Sequence, residues 1–386
     1  MVEFMRDKAC IVGIGETAYS RDSGRSELSL AGEAVRNAVS DAGLALKDID
    51  GMLRFEVDRV TEAELAASLG LTSLRFFGMA GPLGSAACGL VAHAAMAVAC
   101  GMADNVVVYR SLNGRSAQRY GGGATTRGGG GNAAFWEPYG MLVPGQWAAL
   151  SARRHMQQYG TTSRQFGAVA VALRKHACMN PRAVMYGKPI TIEDHQASRI
   201  VHDPLHLLDC CLETDGACAV VVTSAERSRD RKQRPVYIRA ATQHIVSGGR
   251  PRHTYSDTAA YELAETPSRY MAPRLFRMAD VTPADIDCVQ LYDPFTCNIV
   301  FAMEAYGFCK VGESGPFVEA GNIEGPNGRL PVNTAGGNMS EVYLQGMNHI
   351  IEAVRQLRGV STCQAPVCEL VLCESGGGLG GLILRR

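Results

Sequence analysis

Apolar runs alternate with amphipathic stretches from the first residues onward. ACIVGIGE reads as a strand, and a helix follows from about Leu28 to Gly43. After Asp48-Ile49-Asp50 comes a short strand, MLRFEV, and then a second helix near TEAELAASLG. A third helix, GSAACGLVAHAAMAVACG, is apolar on every side, as a helix buried inside the protein would be. It feeds the β-branched strand ADNVVVYR. Helices alternating with apolar strands predict a layered α/β fold with mostly parallel strands.

The second part of the chain repeats this order. PRLFRMADVTPADIDCVQLYDP has the layout of VRNAVSDAGLALKDIDGMLRFE: helix, turn, Asp-Ile-Asp, strand. Asp285-Ile286-Asp287 thus corresponds to Asp48-Ile49-Asp50. A glycine-opened helix after Gly337 leads to ELVLCESGGGLGG, as the helix after Gly84 leads to VVVYR. Two matches in one order suggest an internal duplication, with halves at 1–232 and 233–386. The charged run SAERSRDRKQRP is expected to be a solvated connector between them. A long segment of about 111–204 interrupts the first half. It holds both tryptophans, Trp136 and Trp147, and the glycine run 121–131, which lacks the GK[ST] ending of a phosphate loop. Segments of this length are usually lids or binding loops.

Composition narrows the function classes. Lys plus Arg and Asp plus Glu number 38 each, so the chain has no overall field to draw nucleic acid or an anionic membrane. Hydrophobic residues at 46% and charged ones at 20% are ordinary for a globular chain. No signal peptide and no apolar run near the ~20 residues of a bilayer span are seen, which predicts a cytoplasmic protein. The thirteen cysteines are scattered, with Cys210 and Cys211 adjacent and no zinc-site spacing, and are read as reduced core residues.

Few side chains suggest chemistry on spacing alone. His202 and His206 in HDPLH have metal-pair spacing, but Pro204 between them disfavours the helix it requires. Cys88 in SAACGL is a possible nucleophile near a helix start, although an inert core thiol is the commoner case. Ser85 follows a glycine without forming a GxSxG elbow. Tyr292 in VQLYDPFT ends a strand, and Tyr343 in NTAGGNMSEVYLQGMNHI follows a glycine turn. In doubly wound folds such ends face the ligand crevice.

IVGIGET, DPLHLLDCCLETDGACAVVVTS, NTAGGN and SGGGLGG together make the chain resemble the thiolase superfamily end to end, in its lipid-transfer-protein type. The resemblance implies two duplicated βαβαβαββ halves in a layered αβαβα arrangement with an inserted loop domain. Thiolases place a nucleophilic cysteine at the start of the buried helix. Counting back from Gly101-Met102-Ala103 puts that position at about Gly84 or Ser85, where there is no thiol. Tyr292-Asp293-Pro294-Phe295-Thr296 matches the motif beginning His-Asn-Glu or His-Asp-Cys, and Tyr343 falls on the histidine of Gly-His-Pro. The last thiolase cysteine aligns near Cys373 or Glu374.

Without its nucleophile and both histidines, a thiolase has no route to an acyl-enzyme. The paired tyrosines are similar to those of the thiolase-like steroid side-chain aldolases. That resemblance implies retro-aldol cleavage of a 17-hydroxysteroid 20-carboxyl-CoA to a 17-ketosteroid and propionyl-CoA. Tyr292 and Tyr343 are the expected acid and base, in either order. Asp293, Gly336, Gly337, Asn338 and Gly377 are expected in support, with backbone N–H groups of the glycine turns stabilising an oxyanion. Coenzyme A would be part of the substrate, bedded in the inserted segment, and the chain would need no cofactor or metal of its own. The resemblance also implies a homodimer through the core. It further implies an OB-fold partner whose zinc ribbon carries the metal, giving a two-plus-two heterotetramer. A non-catalytic lipid or acyl-CoA carrier, or a thiolase using Cys88 or Cys373, are the rival expectations.

Overall fold

The computed structural model describes residues 5–81, 86–117, 119, 137–229, 231–244, 266–376 and 379–386. In chain order, β1 (Ala9–Glu16) leads to α1 (Glu27–Asp41), β2 (Gly51–Phe55), α2 (Glu62–Leu69), β3 (Phe76–Ala80), α3 (Ala87–Ala99) and β4 (Asn105–Asn113). Next come α4 (Pro144–Tyr159), α5 (Ser163–Met179), α6 (Ile192–Ala197) and a small hairpin, β5 (Ile200–His202) with β6 (Leu205–His206). The chain then re-enters the main sheet as β7 (Asp215–Ser224). After the charged connector follow β8 (Val236–Gln243), α7 (Ser268–Ala279), β9 (Cys288–Gln290), α8 (Thr296–Ala305) and α9 (Ser314–Glu319). The last elements are α10 (Gly337–Ser340), α11 (Met347–Arg358), β10 (Leu370–Ser375) and β11 (Gly380–Arg385).

One sheet carries both halves, in the order β3-β2-β4-β7-β1-β8-β11-β10-β9. Either side of the β1–β8 contact the pairing pattern is the same. β2 lies parallel to β3 and β4, while β9 lies parallel to β10 and bridges Val332 in the same sense. β4 then runs antiparallel to β7, as β10 does to β11. The expectation of mostly parallel strands therefore fails: β1–β7, β1–β8, β4–β7, β8–β11 and β10–β11 are all antiparallel. β10 ends at Ser375 and β11 begins at Gly380, a separation along the chain that only an antiparallel pair allows. β7 has helices on both faces and is buried almost throughout, so its apolar run carries no signal of direction.

Helices α3 and α11 form the middle layer. α3 packs on β4 and β7 of the first half and on β8, β10 and β11 of the second. α1 and α2 cover the outer face of the first half, and α7 and α8 that of the second. The glycines of IVGIGE permit the closest of these packings. A Cβ on Gly13 would lie 2.1 Å from the Ala38 carbonyl oxygen, and one on Gly15 2.1 Å from that of Ala34, so α1 rests directly on the β1 backbone.

The two Asp-Ile-Asp segments do the same work. Asp48 and Asp285 each close a 3₁₀ turn by accepting the N–H of the residue three before, Ala45 and Thr282. Asp50 accepts the N–H groups of Asp104 and Asn105, and Asp287 those of Glu369 and Leu370. Each thereby pins the start of the neighbouring parallel strand. No helix among the described residues is long and apolar enough to cross a membrane.

Buried His176 on α5 braces the loop beside the candidate site. Its Nε2 accepts the Gly325 N–H at 2.7 Å, so Nδ1 carries the proton and donates to the Asn333 carbonyl at 3.2 Å. Burial pushes its pKa down to about 4. Between about pH 6.5 and 4 the unfolded chain therefore binds a proton here that the folded chain refuses, and stability falls as pH falls through that window. We expect roughly 2 kcal/mol of stability to be lost between pH 7 and pH 5 through this group. Denaturant unfolding at both pH values, in the wild type and His176→Gln, measures it. An unchanged slope in the variant would refute the assignment.

Candidate active site

The two tyrosines stand on separate segments that side chains stitch together. Tyr292 lies just beyond β9. The residue before it, Leu291, is held on both its backbone groups by Asn333: Oδ1 accepts the Leu291 N–H at 2.7 Å and Nδ2 donates to the Leu291 carbonyl at 2.8 Å. Asn333 opens the NTAGGN stretch with a left-handed φ of 49°, a conformation asparagine tolerates. The residue after Tyr292, Asp293, accepts the N–H groups of Asn338 (2.9 Å) and Met339 (3.3 Å), with His349 Nε2 a further 3.0 Å away. The Tyr292 N–H itself donates to Glu374 Oε2 at 3.0 Å. Tyr343 is fixed from the first half, its N–H donating to Thr214 Oγ1 at 2.9 Å.

The outcome is direct contact between the two hydroxyls, 3.2 Å apart and buried. Gly346 lies beneath them. A Cβ there would sit 3.4 Å from that of Ala87 at the start of α3, and 3.8 Å from both Ser375 Cβ and Tyr292 Cδ2. The pair thus occupies the ends of β9 and β10 facing the N-terminal turn of α3, where strand ends and a helix start converge. Two phenols at this distance hydrogen-bond to one another, and either hydroxyl can be the donor.

Several expectations need correction here. The helix after Gly337 does not run on through Tyr343. It stops after the single turn α10, and Gln345 and Gly346 at φ 55° and 96° separate it from α11. Three N–H groups in and after the first glycine turn are already taken within the loops. Gly336 N–H donates to the Asn333 carbonyl, and those of Asn338 and Met339 are taken by Asp293. Asp293 and Gly337 are structural neighbours, since a Cβ on Gly337 would lie 2.2 Å from Asp293 Oδ2. Asn338 is fully buried. Gly377, Gly84, Ser85, Trp136 and the glycine run 121–131 lie outside the described residues.

The rival nucleophiles are poorly placed for ionisation. Cys88, buried on α3, is pushed up to about 12 by desolvation, and Cys373 on β10 well above its ordinary value by the same cause. His206 Nδ1 lies 2.7 Å from the Ser198 carbonyl, while half-buried His202 is held below its usual pKa by desolvation.

Glu374, Asn333 and Thr214 escaped the sequence reading as site residues. A carboxylate in the apolar strand LVLCES was a signal for the first. For the other two the bonds link residues 42 and 129 positions apart.

The layered halves define a thiolase-superfamily protein, with tyrosines at the two positions that resemble the family's histidines. Residues 249–382 match the family "Thiolase C-terminal domain-like". The chain is 49% identical to the 17-hydroxy-3-oxo-4-pregnene-20-carboxyl-CoA lyase of Mycobacterium tuberculosis, covering 98% of this chain and 99% of that one. It is 46% identical to the steroid side-chain-cleaving aldolase of Thermomonospora curvata, covering 97% of each. A solved structure described as "Ltp2-ChsH2(DUF35) aldolase" superposes with a TM-score of 0.93 at 44% identity, over 99% of both chains. The chain belongs to the steroid side-chain-cleaving aldolases, and is a carbon–carbon lyase on a thiolase fold.

Proposed function

We propose that the chain cleaves a 17-hydroxysteroid 20-carboxyl-CoA, a β-hydroxyacyl-CoA, between the carbinol carbon and the carbon α to the thioester. The observation that carries this reading is the 3.2 Å contact between the Tyr292 and Tyr343 hydroxyls. One phenol oxygen takes the proton of the substrate hydroxyl. The carbon–carbon bond breaks as the alkoxide becomes the ketone, and its electrons form the enolate of the thioester. The other hydroxyl supports the enolate oxygen, and the proton returns to the α carbon to give propionyl-CoA. Protons and electrons balance without an acyl-enzyme, an oxidant or a metal in this chain. Removing a proton near neutral pH asks a phenol of ordinary pKa about 10 to act beside a partner that shares the charge, which the paired arrangement supplies.

The chain is read as two halves, 1–232 and 233–386, with the inserted loop domain at about 111–204 as the bed for coenzyme A. Strand β3 supports a homodimer. It is a sheet edge that turns Phe77 (69% exposed) and Met79 (56% exposed) outward, and an apolar edge of this kind is usually covered. The two-component description of the similar solved structure supports a partner subunit. We read that partner as an OB-fold protein whose zinc ribbon holds the metal, two copies of each chain making the assembly.

The test supplies a 17-hydroxysteroid 20-carboxyl-CoA to the chain with and without an OB-fold partner. The expected result is 17-ketosteroid and propionyl-CoA in equal amounts with the partner, and far less without it. Tight binding of the acyl-CoA with no ketone in either case would instead make the protein a carrier.

A further inference from the structure

Glu374 is a buried acid that the proton transfers above do not use. It is 1% exposed near the end of β10, and its two neighbours, Cys373 and Ser375, alternate away from it along the strand. Ser375 accepts the Cys88 N–H at the start of α3, while Glu374 reaches Tyr292 and α7. Its Oε2 accepts the Tyr292 N–H at 3.0 Å, and its Oε1 lies 3.5 Å from Ser268 Oγ on the first residue of α7. Burying an isolated carboxylate costs several kcal/mol. Two donors and the positive end of a twelve-residue helix offset part of that cost.

We infer that Glu374 is a positioning residue for the acid–base pair: it anchors the backbone under Tyr292 and its negative charge holds a proton on the two phenols until the substrate hydroxyl arrives. The inference rests on the tyrosine reading of the site. Its physical basis is that a nearby anion disfavours a second anion. The same charge adds to burial in pushing up the Tyr306 phenol, just past the end of α8, and the Cys88 thiol of α3. The other titratable groups around the pair act differently. Cys88, Cys211, Tyr306 and Cys373 are pushed up by burial and stay neutral. Asp293 is occupied by the amides of Asn338 and Met339 and by His349 of α11.

Glu374→Gln keeps the size and one acceptor oxygen while removing the charge. The pH profile of kcat for the assembled enzyme should move to lower pH by about one unit, a tenfold change in phenolate fraction at a fixed pH. KM for the acyl-CoA should stay near the wild-type value. Glu374→Asp, which retains the charge, should keep the wild-type pH profile while lowering kcat. Glu374→Met provides a neutral side chain suited to a buried site should the amide disturb the strand, and should show the same shift. An unmoved profile in folded Glu374→Gln or Glu374→Met overturns the inference. If that happens while the tyrosine variants lose activity, the tyrosine reading stands without it. If tyrosine variants remain active, the reading beneath it has failed instead.

Discussion

Tyr292→Phe and Tyr343→Phe should each lower kcat for side-chain cleavage by about 10²–10⁴-fold, the usual worth of a positioned acid or base. Each substitution removes one hydroxyl and leaves the ring. The hydroxyls meet each other at 3.2 Å, while the rings are held by bonds to the flanking backbone: Asn333 to Leu291, Asp293 to Asn338 and Met339, and Thr214 to Tyr343. Folding and acyl-CoA binding should therefore change little, and the loss should appear in kcat rather than KM. The double variant should fall hardly further than the worse single one, because the proton-sharing unit is already broken. Single-turnover measurement of ketone release is the suitable assay. Near-full activity in either single variant would remove that tyrosine from the mechanism.

Gly337→Ala should be the most damaging single change near the site that touches neither tyrosine. Gly337 has φ 60°, which costs a side-chain-bearing residue about 1–2 kcal/mol. The new methyl would also lie 2.2 Å from Asp293 Oδ2, an atom that the Met339 amide holds in place. Either the clasp on Asn338 and Met339 opens or α10 shifts, and Tyr343 moves with it. A stability loss of roughly 3–5 kcal/mol is expected, together with loss of cleavage. Gly359→Ala is the matched control. Its φ is 76°, but a Cβ there meets nothing within 4 Å, so it should cost only about 1 kcal/mol and leave kcat intact. Equal effects from the two substitutions, measured by denaturant unfolding, would show that the Asp293 contact does not matter.

Element order was readable because its signals are local. Apolar runs such as ACIVGIGE and NVVVYR are strands, and the twin Asp-Ile-Asp segments mark twin turns before parallel neighbours. Strand direction was not readable, because a strand covered on both faces, like β7, has no polar side to orient it. The tyrosines were legible through their resemblance to two catalytic positions. The break at Gln345 and Gly346 was not, since one residue with positive φ looks like any helix former in a sequence. Glu374 lies one position along the strand from Cys373, and only the pleat decides which of them meets Tyr292.

The bonds of Asn333 to Leu291 and of Asp293 to Asn338 and Met339 all grip peptide groups. Position 292 is therefore a socket, and what is plugged into it is independent of what holds it. The same is true at 343, where Thr214 binds the amide. Reactivity in such a frame can be exchanged by replacing two side chains, without redesigning the loops that aim them. With the phenol pair proposed above the frame would serve a lyase, and a different pair of rings on the same rungs would make it something else.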